Sequence, residues 1–494
     1  MRITAKFFLF GISLLFCRSL QAQPLELTIS PADRAYHLSR LWSEVKYNFV
    51  NLDQIKFDAD SLYRACLAEA LEAKSDYAYL RLLKRFMAAF NDGHTEFYSR
   101  YKRSNDEMDY VPLSLNFYGE KLYITSVRQR PDLDKNWLGA EVLKIDGVSV
   151  ARYLADTIFP YISASTPQHR LMQCYQSIVY QEATKPLRME IRQRDGKIKN
   201  ISVQRNGEAT RKIDDKSWGI GSRVPYNAVE FYNLDGGFSY LMVRSFGRES
   251  YIADIDRHVE NINKSKGLII DLRHNGGGST TVAWYLQSLL TPMGVDTFLN
   301  FAWQTRINDG VKKANSNWKE EYKPYYNHTA LRYAEPYKVA IPDTIERIKV
   351  PVVVLIGRYT FSAAEDFLVN MYEVPGRPML IGEETGGSTG SPLVVEGLPH
   401  GGYARICTRR VCFPYSGKPF VNKGIAPDLI VLETIEDHMA LCKLELPPVL
   451  TPPQIDTKEM QELVERQHYE RYKLLLPHDV VVQAAVKELK KQVK

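Results

Sequence analysis

The sequence has few cysteines and little net charge, and both shortages exclude classes of protein. Its 494 residues include six cysteines, with no spacing typical of metal ligands. Five remain if Cys17 belongs to a cleaved leader, and an odd number in so long a chain excludes a disulfide scaffold. The net charge of +6 falls to +3 after the leader, which carries Arg2, Lys6 and Arg18 and no acid. This is too weak to indicate a nucleic-acid partner.

Long apolar runs are also missing, apart from one at the amino terminus. Residues 1–22 combine a basic start, an apolar stretch too short to span a bilayer and a small residue at a cut point. We expect a signal peptide cleaved after Ala22, and a secreted protein of the periplasm or cell surface. A lipoprotein anchored at Cys17 is the alternative, but Phe16 before it is bulkier than such sites normally allow. No integral membrane segment is expected after the signal is removed.

Nucleotide-binding motifs are absent, and no metal or organic cofactor is implied. A glycine-rich stretch, "DLRHNGGGST" (271–280), nevertheless follows a buried strand. Its backbone amides could face an oxyanion or a phosphate, but neither G-x-x-x-x-G-K-[ST] nor G-x-G-x-x-G is present. A plain tight turn accounts for the glycines equally well.

Four regions follow the leader. Residues 31–107 repeat apolar positions every three or four residues, which predicts a helical region. Residues 110–206 contain short strands with Asp-Gly turns, and residues 225–440 alternate strands with helices, which predicts an α/β layer. Residues 446–494 begin with the stiff linker "LPPVLTPP" and end in a charged helix. The fold class is therefore multidomain α+β.

Ser362 stands at a predicted junction of strand and helix. The run "VPVVVLIG" (350–357) has the length and β-branched content of a buried strand, and "SAAEDFLVNM" has helical spacing. There the helix amides would point at whatever the serine attacks. A serine that only caps the helix is the alternative.

Ser388 offers a second candidate nucleophile. "GGSTG" (386–390) fits the G-x-S-x-G pattern, which would favour an esterase acting through Ser388. That pattern must lead into a helix, but Pro392 and Pro399 follow too soon. We therefore interpret the match as accidental.

Four separated motifs together resemble a known catalytic core. "GLIIDLRHNGGG", "VVVLIGRYTFSAAEDF", "MLIGEETGG" and "KGIAPDLIVL" resemble, in order and spacing, the C-terminal processing and tricorn-core serine peptidases. The resemblance implies a crotonase-like α/β core at 225–440 and a PDZ-like module at 110–206, whose "GAEVLKIDGVSV" resembles late PDZ strands. Without it, a structural spacer would be the preferred interpretation of the module. It also implies protein or peptide substrates, with their C-terminal ends as candidate binding elements.

The resemblance assigns roles to named residues. It makes Ser362 the nucleophile, and makes the backbone amides of Gly277 and Ala363 the oxyanion hole. Glu365 is expected to hold the loop in place. The processing-peptidase branch has a lysine base in the position of Ser388, whereas the tricorn-core branch has a histidine, which His94 in "NDGHT" matches.

A third catalytic member is not assigned. The tricorn-core branch has a glutamate just ahead of its G-I-x-P-D stretch, but Val421 occupies that position here. Glu383, Glu384 and Asp92 are candidates only because they are near the motifs.

The sequence as a whole predicts a secreted serine endopeptidase in which His94 activates Ser362. A peptide-binding or scaffolding protein that keeps the fold without turnover is the alternative, because the lysine and the glutamate are both missing. If His94 is the base, activity should rise near pH 6 to 7, about the unperturbed histidine pKa of ~6.5.

Overall fold

The computed structural model describes residues 27–101, 108–210, 216–220, 227–307, 330–447 and 458–493. The predicted signal peptide and most of the predicted linker lie outside these ranges. Within the described ranges, no helix has the length and hydropathy needed to cross a bilayer. The described chain combines helices with several separate sheets, which agrees with the predicted mixed α+β class.

The N-terminal region is built from three helices and one short strand. The helices are α1 (Pro31–Asn48), α2 (Ala59–Glu72) and α3 (Asp76–Ala88), and the strand is β1 (Glu96–Tyr98). Each helix follows a residue whose side chain accepts a hydrogen bond from a first-turn amide, namely Ser30, Asp58 and Ser75. The helices bury one shared apolar cluster that includes Leu38, Leu83 and Phe86.

The second region is a strand-rich layer with two helices. Its strands are β2 (Met108–Tyr110), β3 (Leu113–Tyr118), β4 (Lys121–Arg128), β5 (Glu141–Ile145), β6 (Val148–Ser149), β7 (Tyr180–Glu182), β8 (Leu187–Arg192), β9 (Ile198–Val203) and β10 (Ser217–Gly219). Its helices are α4 (Val150–Tyr153) and α5 (Pro167–Val179). A seven-stranded sheet has the order β10-β4-β5-β8-β9, with β3 on β4 and β6 on β5.

The two predicted Asp-Gly turns lie between paired strands of that sheet. Asp146 and Gly147, with φ of 48° and 84°, connect β5 to β6, and Asp195 and Gly196 connect β8 to β9. The first turn meets the requirement of a type I′ hairpin turn, two positive φ angles in succession, whereas in the second only Gly196 has a positive φ, of 83°. Strand β10 lies beyond residue 206, so the sheet extends past the predicted boundary.

The third region contains the large sheet that carries the site. The six strands, in sheet order, are β11 (Val229–Leu234), β12 (Phe238–Val243), β13 (Leu268–Asp271), β18 (Val352–Ile356), β19 (Met379–Gly382) and β23 (Leu429–Ile430). All neighbours from β12 onward are parallel. The carboxyl ends of β13 and β18 therefore lie at one edge, which brings the glycine loop beside the segment that ends in Ser362.

Helices and small sheets surround this large sheet. The helices are α6 (Tyr251–Asp256), α7 (Val259–Asn263), α8 (Thr280–Leu290), α9 (Ala363–Tyr372) and α10 (Ile435–Leu441). The remaining strands are β14 (Thr297–Leu299), β15 (Ala302–Arg306), β16 (Leu331–Ala334), β17 (Lys338–Ala340), β20 (Pro392–Leu398), β21 (Gly402–Cys407) and β22 (Arg410–Cys412). Cys407 and Cys412 are both buried and carry no disulfide.

The C-terminal helices pack against the core. They are α11 (Lys458–Leu475) and α12 (Val480–Gln492). Val482, Ala485 and Leu489 of α12 are buried in one cluster with Ile269 and Val353 of the large sheet. Each such Val or Leu contributes about 1.5 to 3 kcal/mol of transfer free energy. The tail is therefore part of the folded core, a question that the sequence left open.

Candidate active site

Ser362 lies between a parallel strand and a helix, as predicted. Strand β18 ends at Ile356, and α9 begins directly after the serine. The Ser362 backbone has φ 57° and ψ −127°, values typical of glycine in a type II′ turn and costing about 1 to 3 kcal/mol elsewhere. Within the described chain its side chain makes no capping bond to the helix. Helix capping therefore does not explain the serine, whose hydroxyl points elsewhere.

The hydroxyl of Ser362 contacts His94, which lies 268 residues earlier in the chain. His94 Nε2 is 3.0 Å from Ser362 Oγ, and His94 Nδ1 is 2.9 Å from Ser388 Oγ. If Nδ1 carries the ring proton, it donates to Ser388, and the lone pair of Nε2 accepts from Ser362. This is the tautomer that a general base needs.

Aromatic stacking fixes the plane of the His94 ring. Phe361 lies parallel to it, with centroids 4.7 Å apart and planes at 9°. The ring of His169 stacks on Phe361 as well, at 4.3 Å. A Cβ on Gly93 would lie 2.7 Å from the Phe361 ring, so only glycine fits in the turn before the histidine.

Hydrogen bonds attach the turn that carries His94 to the core. Strand β1 pairs antiparallel with β21, and the Cys407 amide donates to Thr95 Oγ1 at 3.1 Å. Asp92 Oδ1 accepts from the His94 amide and from Thr95 Oγ1, both at 2.9 Å. The Gly93 amide donates to Ser165 Oγ of the strand-rich region at 2.9 Å. The turn is therefore held by two neighbouring regions, the core and the strand-rich region, as well as by bonds within itself.

Burial changes the acid–base properties of this turn. It lowers the pKa of His94 to about 3, and the positive charge of Arg405 adds to the effect. It also raises the pKa of Asp92 to about 6. The imidazole is therefore neutral throughout the physiological range. The limb expected near pH 6 to 7 for an unperturbed histidine does not fit this environment, since a lowered pKa moves it to more acidic pH.

Ser388 connects His94, Ser362 and the buried acid Glu365. Its hydroxyl contacts His94 Nδ1, its carbonyl accepts from the Ser362 amide at 3.1 Å, and its amide donates to Glu365 Oε2 at 2.9 Å. Glu365 also accepts from the Gly387 amide at 2.7 Å and from Thr385 Oγ1. Burial raises the pKa of Glu365 to about 8. Glu365 thus holds the 385–388 loop, which is the role expected for it.

The candidates for a third member lie elsewhere. Glu383 pairs with Arg358 at 2.7 Å, and Glu384 accepts from the Gly424 amide at 2.9 Å. Asp92 bonds groups of its own turn, and Val421 is packed in the core. The residue that contacts Nδ1 is Ser388, which sequence analysis treated as an accident. Ser388 occupies the position at which the processing-peptidase branch has its lysine base, and this was the feature of the sequence that could have indicated the contact.

The expected oxyanion-hole residues lie beside Ser362, but one amide is already engaged. Ala363 is the first residue of α9, so its amide has no acceptor within the helix. The Gly277 amide donates to Asn275 Oδ1 at 2.8 Å. The next amide, that of Gly278, has no acceptor among the described residues, and Gly278 borders the same cavity as Ser362 and Ala363.

Gly277 is nevertheless constrained by its position. Its φ is 89°, and an added Cβ would lie 2.7 Å from the Ala363 nitrogen. The glycine loop therefore approaches Ser362 and the start of α9 so closely that no side chain fits between them. Among the described residues, no group of three or more His, Cys, Asp or Glu side chains could hold a metal ion.

Comparisons with known proteins concern the fold that carries this site. Residues 237–431 match the model of Peptidase family S41. The crystal structure of mature CPAF is 14% identical, with a TM-score of 0.63 over 93% of this chain and 98% of that chain. Mature CPAF complexed with lactacystin is 15% identical, with a TM-score of 0.62 over 92% and 99%. At such identities the likeness is one of fold. The chain therefore carries a Peptidase family S41 domain, which confirms the resemblance to the C-terminal processing peptidases.

Proposed function

We propose that this protein is a serine endopeptidase in which Ser362 is the nucleophile and His94 the general base. The observation that carries the proposal is the 3.0 Å contact between Ser362 Oγ and His94 Nε2. Two further features support it. The imidazole is neutral because burial lowers its pKa to about 3, and the strained Ser362 backbone presents the hydroxyl at a helix start.

In this mechanism His94 removes the proton as Ser362 Oγ attacks the scissile carbonyl. The imidazolium that forms keeps its Nδ1–H bond to Ser388 Oγ, and it later gives the Nε2 proton to the leaving amine. A serine hydroxyl replaces the carboxylate of a Ser-His-Asp triad, so the third member orients the ring without adding a full negative charge. His94 then removes a proton from water, which attacks the acyl-enzyme.

The oxyanion is assigned to the amides of Ala363 and Gly278. Gly278 replaces Gly277, the residue expected from the sequence, because the Gly277 amide donates to Asn275. A preorganised donor of this kind contributes about 2.7 to 4 kcal/mol to transition-state stabilisation. The positive end of the α9 dipole adds to the same field.

The experiment is labelling with a fluorophosphonate, which reacts only with an activated serine. We expect wild type and Ser388→Ala to be labelled at position 362, and Ser362→Ala to remain unlabelled while keeping its circular dichroism spectrum. Labelling of Ser362→Ala would end the assignment. Labelling that disappears in Ser388→Ala but persists in Ser362→Ala would favour the esterase alternative. Unlabelled wild type would favour the non-catalytic peptide-binding protein.

We also propose that the protein is secreted and that the strand-rich region binds substrate C-terminal ends. The first rests on the signal-like residues 1–22, and the second on the PDZ-like sequence of that region. The test is binding of one peptide, with either a free or an amidated C-terminus, to Ser362→Ala. We expect the free carboxylate to bind at least tenfold more tightly. Equal affinities would contradict a C-terminal binding site. Cleavage of the leader is checked by N-terminal sequencing of the exported protein, which should begin at Gln23.

A further inference from the structure

A cavity of about 290 Å³ opens directly beside the nucleophile. Ser362, Ala363 and Gly278 border it, so the cavity shares the three residues assigned to attack and to the oxyanion. A peptide whose carbonyl is held there would place the side chain before its scissile bond toward this space. We call it the tryptophan cavity, defined by the walls Trp284, Trp303 and Tyr337 and by Asp366.

Three aromatic rings form the walls of the tryptophan cavity. Tyr337 stands edge-on to both indoles, with planes at 89° and centroids 6.4 Å from Trp284 and 6.3 Å from Trp303. The Trp284 Nε1–H donates to Asn300 Oδ1 at 3.0 Å, which fixes that indole. Perpendicular aromatic faces with fixed orientations are the arrangement that proteins use to surround an organic cation.

Asp366 adds a negative group in the interior. It lies in the first turn of α9, four residues after Ser362, and its side chain belongs to a residue only 5% exposed. Its Oδ1 accepts a hydrogen bond from Thr389 Oγ1, also at the cavity. Burial raises the pKa of Asp366 to about 7. A cation that entered the cavity would give the buried Asp366 carboxyl a partner of opposite charge.

The cavity has one cationic side chain of its own. The Arg409 guanidinium lies over the Trp303 ring, 4.9 Å from its centroid, on a residue that is half-buried. The positive charge of Arg409 lowers the pKa of Asp366 against the larger effect of burial, but among the described residues no hydrogen bond or ion pair joins the two side chains. Arg409 therefore shows that the Trp303 face accepts a guanidinium, while Thr389 is the donor that contacts Asp366 directly.

We propose that the tryptophan cavity binds a lysine or arginine side chain immediately before the scissile bond, with Asp366 as the acceptor of its charge. The proposal rests on the proposed function of Ser362. An acidic side chain would face the buried carboxyl of Asp366. A purely apolar side chain would cover that carboxyl without giving it a hydrogen bond, at a desolvation cost. A lysine or arginine has an apolar stem for the rings and a charged end for the acid.

The experiment uses product peptides, so that it does not depend on turnover. Acetyl-Ala-Ala-Lys and acetyl-Ala-Ala-norleucine, each with a free carboxylate, are titrated into Ser362→Ala by calorimetry. Norleucine keeps the stem of lysine and lacks the ammonium group. We expect lysine to bind at least fivefold more tightly. A ratio below fivefold, or tighter binding of the matching glutamate peptide, would overturn the proposal.

Asp366→Asn in the same background tests the acceptor. The lysine-to-norleucine ratio should fall below twofold, whereas Glu249→Gln, which changes an exposed acid that does not line the cavity, should leave it unchanged. A ratio that survives Asp366→Asn would remove Asp366 from the account. If that variant does not fold, the ratio in Ser362→Ala decides alone.

Hydrolysis by wild type separates this proposal from the proposed function. A peptide library varied before the scissile bond is incubated with the full chain. Cleavage without preference for lysine or arginine would contradict the cavity assignment and leave the peptidase mechanism standing. A lysine preference in binding, without cleavage of any peptide, would contradict the mechanism and leave the cavity assignment standing.

Discussion

The proposed nucleophile and its proposed base come from regions that the sequence specifies in different ways. Ser362 belongs to a continuous strand, turn and helix, and its backbone geometry is set within that segment. His94 lies in a turn of the helical region and reaches the serine through contacts between distant segments, among them the pairing of β1 with β21 and the bond from the Gly93 amide to Ser165. The chemistry of Ser362 is therefore local, whereas the position of His94 depends on an interface between distant segments.

The interface between the helical region and the core contains side-chain hydrogen bonds and an ion pair as well as paired strands. Arg410 at the start of β22 donates to Asn51 Oδ1 at 2.8 Å and pairs with Asp53 at 2.5 Å, on the loop between α1 and α2. The Val50 amide of the same loop donates to the Cys407 carbonyl at 3.0 Å. A substitution in this interface, far from Ser362 in sequence, can therefore lower activity by displacing His94.

The largest effect should follow removal of the base. His94→Ala should lower kcat by about 10² to 10⁴-fold, which is the usual contribution of general acid–base catalysis, and the circular dichroism spectrum should not change. Steady-state hydrolysis of a fluorogenic peptide measures it. His37→Ala, in α1 of the same helical region, is the matched control and should stay within twofold. A loss below tenfold in His94→Ala would mean that another group takes the proton.

The next effect should come from the interface. Arg410→Ala should lower kcat about tenfold with little change in KM, because the turn that carries His94 loses an anchor while the tryptophan cavity does not. Arg410 is buried although its partner Asp53 is exposed, and its removal should also lower the free energy of unfolding by about 1 to 3 kcal/mol, because the buried Asn51 Oδ1 loses its donor. Steady-state kinetics measure kcat and KM, and denaturant unfolding measures the free energy of unfolding. Arg410→Lys, which keeps the charge, should lose less of each; equal kcat in Arg410→Ala and wild type would show that the interface does not position the base.

A smaller effect is expected from the residue that contacts Nδ1. Ser388→Ala removes one hydrogen bond to the His94 ring, and a net value of about 0.5 to 1.5 kcal/mol corresponds to a two- to tenfold loss of kcat. The comparison is with Ser416→Ala, an exposed serine outside the site. Unchanged kcat in Ser388→Ala would mean that Phe361 stacking alone orients the imidazole.

The smallest expected effect is the change of kcat/KM with pH between pH 5 and 7. Protonation inactivates His94, so kcat/KM rises as pH passes upward through its pKa, which burial lowers to about 3. Two nearby carboxyls titrate between pH 5 and 7, namely Asp92, whose pKa burial raises to about 6, and Asp366, whose pKa burial raises to about 7. Combining Asp92→Asn with Asp366→Asn should therefore give a flat profile between those values. A limb near pH 6 to 7 that persists in this double variant would show that His94 keeps an ordinary pKa.

The sequence predicts what is local and leaves out what is tertiary. The strand before Ser362, the helix after it and the Asp-Gly turns follow from periodicity and turn chemistry over a few residues. The Ser388 contact could not be derived in this way, because it depends on where a loop without regular structure meets a turn 294 residues earlier. The engagement of the Gly277 amide by Asn275 depends likewise on the fold of one loop, which glycine composition does not specify.

The unpredicted pKa of His94 has the same origin. A histidine after "NDG" is expected at a surface turn, but the closing of three regions around it leaves it 2% exposed. Burial of this degree follows from the packing of β1, α5 and the Ser388 loop. Residues 91–95 alone therefore do not predict the lowered pKa of His94.

The most direct test of the account is a double-mutant cycle between Ser362 and His94. Peptide hydrolysis is measured for wild type, Ser362→Ala, His94→Ala and the double variant. If the two side chains act as one unit, the double variant should be no more than about threefold slower than Ser362→Ala alone, because the base has nothing left to activate. Losses that multiply would contradict the account, since they would show that serine and histidine act independently.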